Sequence, residues 1–363
     1  MSRSANGVST TTNAVITVDF TQRFPDEEPA KANDAEGSSK SAKAIKNVMY
    51  NITGMFNRYQ SHSYNETFGG SLDDIFKYGY IGHFEVNKTP HHQLVSNYNY
   101  YGITRAAYVQ DSWVDDIDWN AFVPYEGNQV LANYTLQLLG IDEIRPFLTN
   151  FDNLGYYKGL YNGQTPGNIF GLLNNVGVQS SSFSQLQYDY IYLQAKAKAD
   201  ILEHEIEIGF QYDRVDQSYF GISAYSLWTI MRQNANRHIS QMDFSNPHYR
   251  WVGSDLYVDF DRLYNPEQQS YFDKAMRDYL GWSGSYDGER TWLDIDRYSP
   301  EDYVAAGGLE MFSSDELFNG GGNNTLISYY GYDHTGKKYN TGNWNLEDFF
   351  VGKDFDPVTN APK

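Results

Sequence analysis

The 363-residue sequence contains no cysteine, few basic residues and no long apolar run. A chain without cysteine has no disulfide framework, no thiolate nucleophile and no thiolate-bound metal. Because 27 Lys and Arg residues stand against 46 Asp and Glu, the net charge of −19 repels phosphate, so nucleic acid is excluded as a partner. No run of about 18 apolar residues occurs, which excludes a membrane-spanning helix but leaves membrane-spanning strands open, since these need only about 9–11 residues.

Aromatic residues are abundant instead: 32 Tyr, 21 Phe and 7 Trp make up 17% of the chain. Aromatic side chains favour strands, and tyrosine suits surfaces that are apolar on one side and wet on the other. Alternation of apolar and polar residues predicts five strands, at residues 13–24, 48–58, 76–86, 189–199 and 204–213.

The last two of these strands form the clearest pattern, a hairpin with one apolar and one charged face. The apolar face includes Ile191, Leu193, Ile206 and Phe210. The charged face includes Lys196, Lys198, Glu205 and Glu207. Strands of this length can cross the wall of a tilted membrane barrel, but the same pattern is expected of a half-buried hairpin in a soluble sandwich.

The stretches 87–188 and 214–363 lack this alternation and are rich in Tyr, Asn, Asp, Gly and Trp, which indicates long loops with local helices. Asn265 followed by a proline predicts the start of a helix, with Phe272 on its buried face. Ser313 is followed three residues later by Glu316, which is the pattern of a capping box.

Four short segments carry a family resemblance. They are residues 75–84 (IFKYGYIGHF), 204–210 (HEIEIGF), 227–239 (LWTIMRQNANRHI) and 329–337 (YYGYDHTGK), the last followed by 346–350 (LEDFF). In this order they resemble segments of large TonB-dependent outer-membrane receptors of Bacteroidota, of the kind whose N-terminal extension is a carboxypeptidase-regulatory-like domain. The resemblance extends over roughly residues 13–355.

The resemblance implies an outer-membrane nutrient transporter with a barrel of about 22 strands around an internal plug. Because transport by such a receptor is non-covalent, we expect no enzyme activity, no catalytic residue and no cofactor. The implied partners are outer-membrane lipid, the receptor's own plug, a surface lipoprotein, and TonB through an N-terminal part. The implied location is the bacterial cell outer membrane.

The chain departs from the family pattern at both ends. The plug, the segment that contacts TonB and the later barrel strands are missing, and the N-terminus has no signal peptide. Five strands are fewer than the minimum of about 8 that closes a barrel. We therefore interpret the chain as an internal fragment of a receptor.

The predicted fold class is all-β, an antiparallel meander that forms part of a transmembrane β-barrel wall with large, partly helical extracellular loops. The predicted segments are a disordered N-terminus (1–12), barrel strands with connecting loops (13–86), an extracellular loop region (87–188), a barrel hairpin (189–213), a second extracellular loop region with short helices (214–355) and a disordered tail (356–363).

Two sets of side chains follow from this arrangement as site candidates. The four charged residues of the hairpin are expected to face the lumen, because a charge at mid-bilayer costs about 2–4 kcal/mol. The aromatic residues of the loops are substrate-binding candidates, since rings can stack on sugar faces or hold a peptide or chelate, although they can equally pack loops together. These candidates are Tyr98, Tyr100, Tyr101, Trp113, Trp119, Trp251, Trp282 and Trp292.

The sequence predicts no resident metal. The eight histidines are scattered along the chain. The acidic run Asp115, Asp116 and Asp118, and a second run that includes Asp294 and Asp296, are weak candidates for Ca²⁺, with a solvated acidic loop as the alternative.

The alternative function is a soluble or surface-exposed glycan-binding β protein, whose strands would enclose a dry core. A hydrolase is disfavoured, because the sequence contains no nucleophile elbow, P-loop, zincin or dinucleotide-binding motif.

Overall fold

The computed structural model describes residues 7–24, 45–168, 177–201, 203–318 and 326–338, and this part of the chain is mostly β. Its strands are β1 (Gly7–Arg23), β2 (Ile45–Asn65), β3 (Gly82–Tyr100), β4 (Ile103–Pro124), β5 (Ser182–Ile201), β6 (His204–Ser223), β7 (Met242–Val252), β8 (Asp255–Arg262) and β9 (Ile327–Tyr330). Its α-helices are α1 (Gln129–Leu139), α2 (Phe151–Tyr156), α3 (Ala224–Asn234), α4 (Tyr271–Tyr279), α5 (Tyr286–Arg290), α6 (Pro300–Ala305) and α7 (Ser314–Phe318). Within the described ranges, no helix is both long enough and apolar enough to cross a membrane.

The chain divides into two compact units. The strand unit comprises Thr10–His62 and Gln185–Tyr219. The mixed unit comprises Met1–Ser9, Ser63–Ser184 and Phe220–Lys363. The strands are arranged in two open sheets, with orders β1-β2-β5-β6-β9 and β3-β4-β8-β7, and no closed barrel is formed by the described residues.

In the strand unit, β1, β2, β5 and β6 pair antiparallel. The Tyr50 hydroxyl on β2 donates to Gln22 on β1 at 2.9 Å. Arg58 donates from two nitrogens to the two carboxylate oxygens of Asp189 on β5, both at 2.8 Å. Only two residues separate β5 from β6. The predicted antiparallel pairing and the hairpin at 189–213 are confirmed here.

The sheet of the mixed unit corrects the prediction of a simple meander. The pairs β3–β4 and β7–β8 are antiparallel, but β4 pairs parallel with β8 over three residues, from Ala107 with Leu256 to Val109 with Val258. A parallel pair needs a long crossover connection, and here the chain passes through β5, β6, α3 and β7 between the two strands.

The predicted strand at residues 76–86 is wrong in its first half. Residues Leu72–Lys77 form a 3₁₀ turn, and the strand begins only at Gly82. The apolar residues of this segment alternate, but Ile75, Phe76, Tyr78 and Ile81 are all buried, so they do not define one face. Alternation alone does not distinguish a half-buried strand from a wholly buried turn.

Other predicted segments also need correction. Residues 7–12, predicted to be disordered, belong to β1, and the predicted loop regions 87–188 and 214–355 contain β4, β7, β8 and most of β3. The predicted tail (356–363) and residues 25–44 lie outside the described residues.

The helical signals are partly confirmed. The capping box is present, since Ser313 N–H donates to Glu316 at 3.0 Å and Glu316 N–H donates to the Ser313 hydroxyl at 3.2 Å. Asn265 caps only a 3₁₀ turn, and the helix itself starts at Tyr271 with Ser270 as its cap. Phe272 is fully buried, as the spacing predicts.

The core of the mixed unit is built from aromatic rings that also make hydrogen bonds. Trp228 on α3 stacks on Tyr80 at 5.3 Å and donates its indole N–H to the Tyr78 carbonyl at 3.0 Å. Tyr303 meets the Trp228 ring edge-on at 5.6 Å and donates its hydroxyl to the Ile295 carbonyl at 2.6 Å. These contacts join α3, α6 and the segment before β3 in one cluster.

A fully buried ion pair holds the segment 285–296 against α4. Arg277 donates to Asp273 at 2.7 Å, and both side chains are inaccessible to solvent. Its other nitrogens donate to the carbonyls of Gly288 and Thr291 at 2.6 and 2.9 Å, and to Asn236 Oδ1 at 3.0 Å. Because the guanidinium is well paired, its burial is tolerated.

We expect Arg277→Met to lower the free energy of unfolding of the mixed unit by about 3–5 kcal/mol, because it removes the guanidinium that pairs with the buried Asp273 carboxylate and leaves only the His238 ring, at 3.5 Å, beside it. Urea unfolding followed by tryptophan fluorescence measures the change. Lys337→Met, which removes an exposed ion pair with Glu310, is the control and should have no measurable effect. Equal stability of the two variants would contradict this account of the core.

Candidate functional site

The β3–β4 hairpin ends in a tight turn that its sequence encodes. Tyr100 pairs with Ile103, and the two residues between them, Tyr101 and Gly102, have φ of 48° and 85°. A two-residue hairpin turn of this kind requires positive φ at both positions. Asn99 stabilises the turn by accepting the Gly102 N–H at 2.8 Å.

Five aromatic rings meet at this end of the mixed-unit sheet. This aromatic tip consists of Tyr98, Tyr100, Tyr101, Tyr249 and Trp251. Tyr100 contacts Tyr101 at 4.7 Å, Tyr249 at 5.0 Å and Trp251 at 6.1 Å, all edge-on. The structure therefore brings together four of the eight aromatic residues predicted from the sequence, and adds Tyr249.

The rings of the aromatic tip differ in exposure. Tyr101 is 79% exposed and Trp251 46%, whereas Tyr98, Tyr100 and Tyr249 are half-buried against the small cluster of Ala107, Leu256, Val258 and Phe260. Burial, followed by the hydroxyl contact with Tyr249 at 3.5 Å, raises the pKa of Tyr98 to about 12, so its hydroxyl stays protonated. The tip thus offers ring faces together with neutral hydroxyl groups.

One arginine belongs to this surface. Arg105 pairs with Tyr98 across the hairpin, and its guanidinium lies 4.3 Å from the Trp251 ring centroid. No carboxylate among the described residues forms an ion pair with it, and its buried Nε has no hydrogen-bond partner there.

Charges are separated between the two faces of this sheet. Leu256, Val258 and Phe260 point towards the aromatic tip's face, so the intervening Asp259 points to the opposite face. There Asp259 accepts from Arg250 and from His92, both at 2.6 Å. The aromatic face at the tip thus carries a cation, while the neighbouring acidic residues of β8 lie behind it.

Trp113 and Trp292 belong to a different group, centred on Arg262. The Arg262 guanidinium lies 4.1 Å from the Trp113 ring and 4.5 Å from the Trp292 ring, and burial lowers its pKa to about 10. Lys88 lies 4.7 Å from Trp292 and forms an ion pair with Asp115. Cations therefore already occupy positions against both indoles.

Beside this group is a pocket of about 190 Å³, lined in part by Lys88, Trp292, Asp294 and Arg232. Burial raises the pKa of the Asp294 carboxyl to about 7, and the neighbouring Asp296 adds to the rise. Asp294 accepts the N–H of Val86 at 2.8 Å but has no ion-pair partner among the described residues. It is therefore the carboxyl of this pocket that can change charge near neutral pH.

Asp296 has a different environment although it is only two residues away. It accepts from Arg232 through two nitrogens, at 2.8 and 2.5 Å, and from Asn162 at 2.9 Å. It is therefore committed to holding α3 against the segment before α6, and is not available to a ligand.

The acidic residues do not converge on a metal. Asp115 and Asp116 are neighbours on β4, where successive side chains point to opposite faces, and Asp118 accepts the N–H of Asn120 at 2.9 Å. In the ranges that the structure describes, no group of three His, Asp or Glu side chains is arranged to hold a metal ion.

The last two predicted aromatic residues have packing roles. Trp119 donates its indole N–H to the Leu148 carbonyl and lies edge-on to Phe84 at 6.1 Å. Trp282 is packed against the main core, and Arg277 lies 5.8 Å from its ring.

The four charged residues predicted to face a lumen share one face of the strand unit. Lys198 forms an ion pair with Glu205 at 2.5 Å across the β5–β6 hairpin. A Cβ on Gly209 would lie 3.7 Å from Lys196 Cγ, which places Lys196 on the same face as Glu205, Glu207 and Gly209.

Sequence analysis did not identify Arg105 or Tyr249 as site residues, and it did not predict that Asp294 lacks an ion-pair partner in the described part of the chain. Tyr249 had a usable signal, since it lies two residues from Trp251 and strand neighbours at that spacing share a face. Arg105 had none, because its lack of a carboxylate partner depends on long-range pairing. Comparison of the chain with protein-family models and with curated proteins finds no match.

We expect the stability of the mixed unit to depend on pH through Asp294. An aspartate in the unfolded chain has a pKa of about 3.9, against about 7 in the folded protein. Between these values the folded state binds more protons, so the stabilisation is complete below the lower value and is lost as pH rises through the upper one, by up to about 4 kcal/mol.

Urea unfolding at pH 5 and pH 8 measures this effect. Asp294→Asn cannot titrate, so wild type should lose stability relative to it as the pH rises. The exposed Asp142→Asn is the control and should follow wild type. A constant difference between wild type and Asp294→Asn over this range would show that the carboxyl is already charged at pH 5.

Proposed function

We propose that this chain is a segment of a TonB-dependent outer-membrane receptor for nutrient uptake. In this proposal the strand unit is part of the barrel wall, and the aromatic tip belongs to the outer, substrate-capturing part. The observation that carries the proposal is the uncovered apolar face of the strand unit.

That face contains large side chains that no described residue covers. Ile208 on β6 is 69% exposed, Val18 on β1 is 63% exposed, and neither buried cluster includes a residue of this face. The exposed members are Ile16, Val18, Phe20, Ile52, Leu193, Ile206, Ile208, Phe210 and Tyr212. An apolar surface of this extent is unfavourable in water and is expected where a protein meets lipid or another apolar surface.

The strands supply an apolar band of suitable height. On β2 and β5, every second residue is apolar or glycine over a run of nine residues. The runs are residues 48–56 of β2 and 191–199 of β5. At about 3.3 Å per residue such a run is about 30 Å long. A tilt of about 40° reduces it to about 23 Å across the membrane, close to the band of about 25 Å found on outer-membrane barrels.

Charged residues mark one end of the band on three strands. They are Arg58 on β2, Asp189 on β5 and Arg214 on β6. Arg58 pairs with Asp189 at 2.8 Å, and Arg214 pairs with Asp216 at 2.9 Å. Polar groups in this position fit the boundary between hydrocarbon and the aqueous interface.

Two of the three connections of the strand unit are unequal in the sense that a barrel requires, whereas the 21 residues between β1 and β2 are long for the end at which they connect. The β5–β6 connection is only two residues long, whereas 122 residues separate the two stretches of the strand unit, which contain β2 and β5. Both that long segment and the chain after Tyr219 leave from the end of the sheet opposite the short turn, because the strands are antiparallel. Outer-membrane barrels have short periplasmic turns and long outer loops.

A soluble glycan-binding β protein is the competing hypothesis. It requires the apolar face to lie under a layer of the same polypeptide, and the exposure of Ile208 and Val18 argues against this within the described residues. Under the receptor proposal, the opposite face would line an aqueous lumen. Its charged residues are Lys196, Lys198, Glu205 and Glu207.

The absence of cysteine allows a direct test by single-cysteine labelling. Ile208→Cys and Leu193→Cys place a fluorophore on the apolar face, and the adjacent Glu207→Cys and Gln194→Cys place it on the other face. In liposomes that contain lipids with nitroxide-labelled acyl chains, we expect labels on the apolar face to be quenched several-fold more strongly, because they contact the hydrocarbon.

Two results would reject the proposal. One is equal quenching of both members of each neighbouring pair, which would remove the lipid-facing assignment. The other is a stable, monodisperse chain in buffer without detergent, with the Ile208→Cys label protected from aqueous quenchers, which would support the soluble alternative.

A further inference from the structure

We infer that the aromatic tip binds an acidic carbohydrate, a uronic-acid-containing oligosaccharide, with Arg105 as the residue that selects the carboxylate. This inference deepens the proposed capture of a substrate and rests on it for the biological source of the ligand. The binding itself depends only on the mixed unit.

The surface of the tip fits a pyranose ring. A pyranose presents C–H groups on its faces and hydroxyls at its edge, so it needs a flat apolar partner with polar groups around it. Tyr101 provides an exposed ring, and Trp251 provides the ring face that Arg105 leaves open. The hydroxyls of Tyr98 and Tyr249 lie 3.5 Å from each other on the same face of the sheet. Tyrosine and tryptophan provide large contact areas at low cost in conformational entropy.

Arg105 provides the charge selectivity. In the described residues of a chain with net charge −19, it has no carboxylate partner. Its guanidinium lies instead 4.3 Å from the Trp251 ring centroid, next to the exposed rings. A planar guanidinium forms charge-assisted, often bidentate hydrogen bonds with carboxylates, and a uronic acid carries a carboxylate on the ring that would stack.

The surrounding charges are compatible with an anionic ligand. Asp255 and Asp259 alternate with Leu256, Val258 and Phe260 along β8 and so point to the opposite face, where Asp259 is paired with Arg250 and His92. The negative charge of the rest of the chain acts weakly at the tip, because exposed charges are screened beyond about 8 Å at physiological ionic strength. The local contact with Arg105 therefore decides the sign of the ligand.

The test compares trigalacturonate with its fully methyl-esterified form, which keeps the rings and removes the charge. Binding is measured by calorimetry on the full chain in detergent at 0.15 M salt. We expect wild type to prefer the acid by about tenfold, and Arg105→Gln to reduce this preference to about twofold or less. Arg105→Lys should fall between them, because an ammonium group lacks the planar fork of a guanidinium.

Two control variants separate charge from stacking. Arg250→Gln removes an equal charge from the opposite face and should keep the preference for the acid. Tyr101→Asn removes an exposed ring at a positive-φ position that asparagine tolerates, and should weaken both ligands by a similar factor.

Equal affinity of wild type for acid and ester would overturn the inference, as would an unchanged preference in Arg105→Gln or the absence of any binding. These outcomes are distinct from failure of the proposed function, because the calorimetric measurement does not require insertion into lipid. Conversely, liposome quenching can fail while the preference for the acid remains.

Discussion

The structure of the strand unit depends on one constraint, the separation of an apolar face from a charged face by the alternation of side chains along paired strands. Four long antiparallel strands form one apolar face, bordered at one end by Arg58, Asp189 and Arg214, and place Lys196 and Glu207 on the other face. Hydrogen bonding between the strands fixes this separation. A shift of one residue in β5 or β6 would move lysine or glutamate side chains into the apolar surface. The position of Lys196 and Glu207 on the face opposite Leu193 and Ile208 therefore follows from the pairing of the strands.

In the mixed unit the constraint is different. Its irregular segments contain backbone N–H and C=O groups that no helix or strand pairs, and these groups need other hydrogen-bond partners. Buried side chains provide these hydrogen bonds. Asn162 accepts the N–H groups of Ile81 and Gly82 at 2.7 and 3.2 Å, and Asn236 joins the Leu293 backbone to Arg277. Each such residue fixes a loop in position at its middle as well as at its ends.

The sequence predicted the strand unit well and the mixed unit poorly, for a physical reason. Period-two alternation is a local property, so β5 and β6 were recognisable from residues 189–213 alone. Phe76 and Tyr78 alternate in the same way, yet both are buried, because α3 and α6 surround them. The grouping of Trp113 with Trp292 through Arg262, and of Tyr100 with Tyr249, depends on pairings between distant strands that composition and spacing do not specify.

The division of the strand unit into two separated stretches has a consequence for how the protein is made. Arg58 and Asp189 are direct partners but are 131 residues apart in the chain. Closing a loop of that length costs about 4 kcal/mol of chain entropy. At about 5–20 residues per second, β2 emerges from a ribosome on the order of ten seconds before its partner β5. During that interval the unpaired edge and the apolar face of β2 are exposed to other nascent copies of the chain. A chaperone that binds unfolded segments would therefore protect this chain most between the synthesis of β2 and the synthesis of β5.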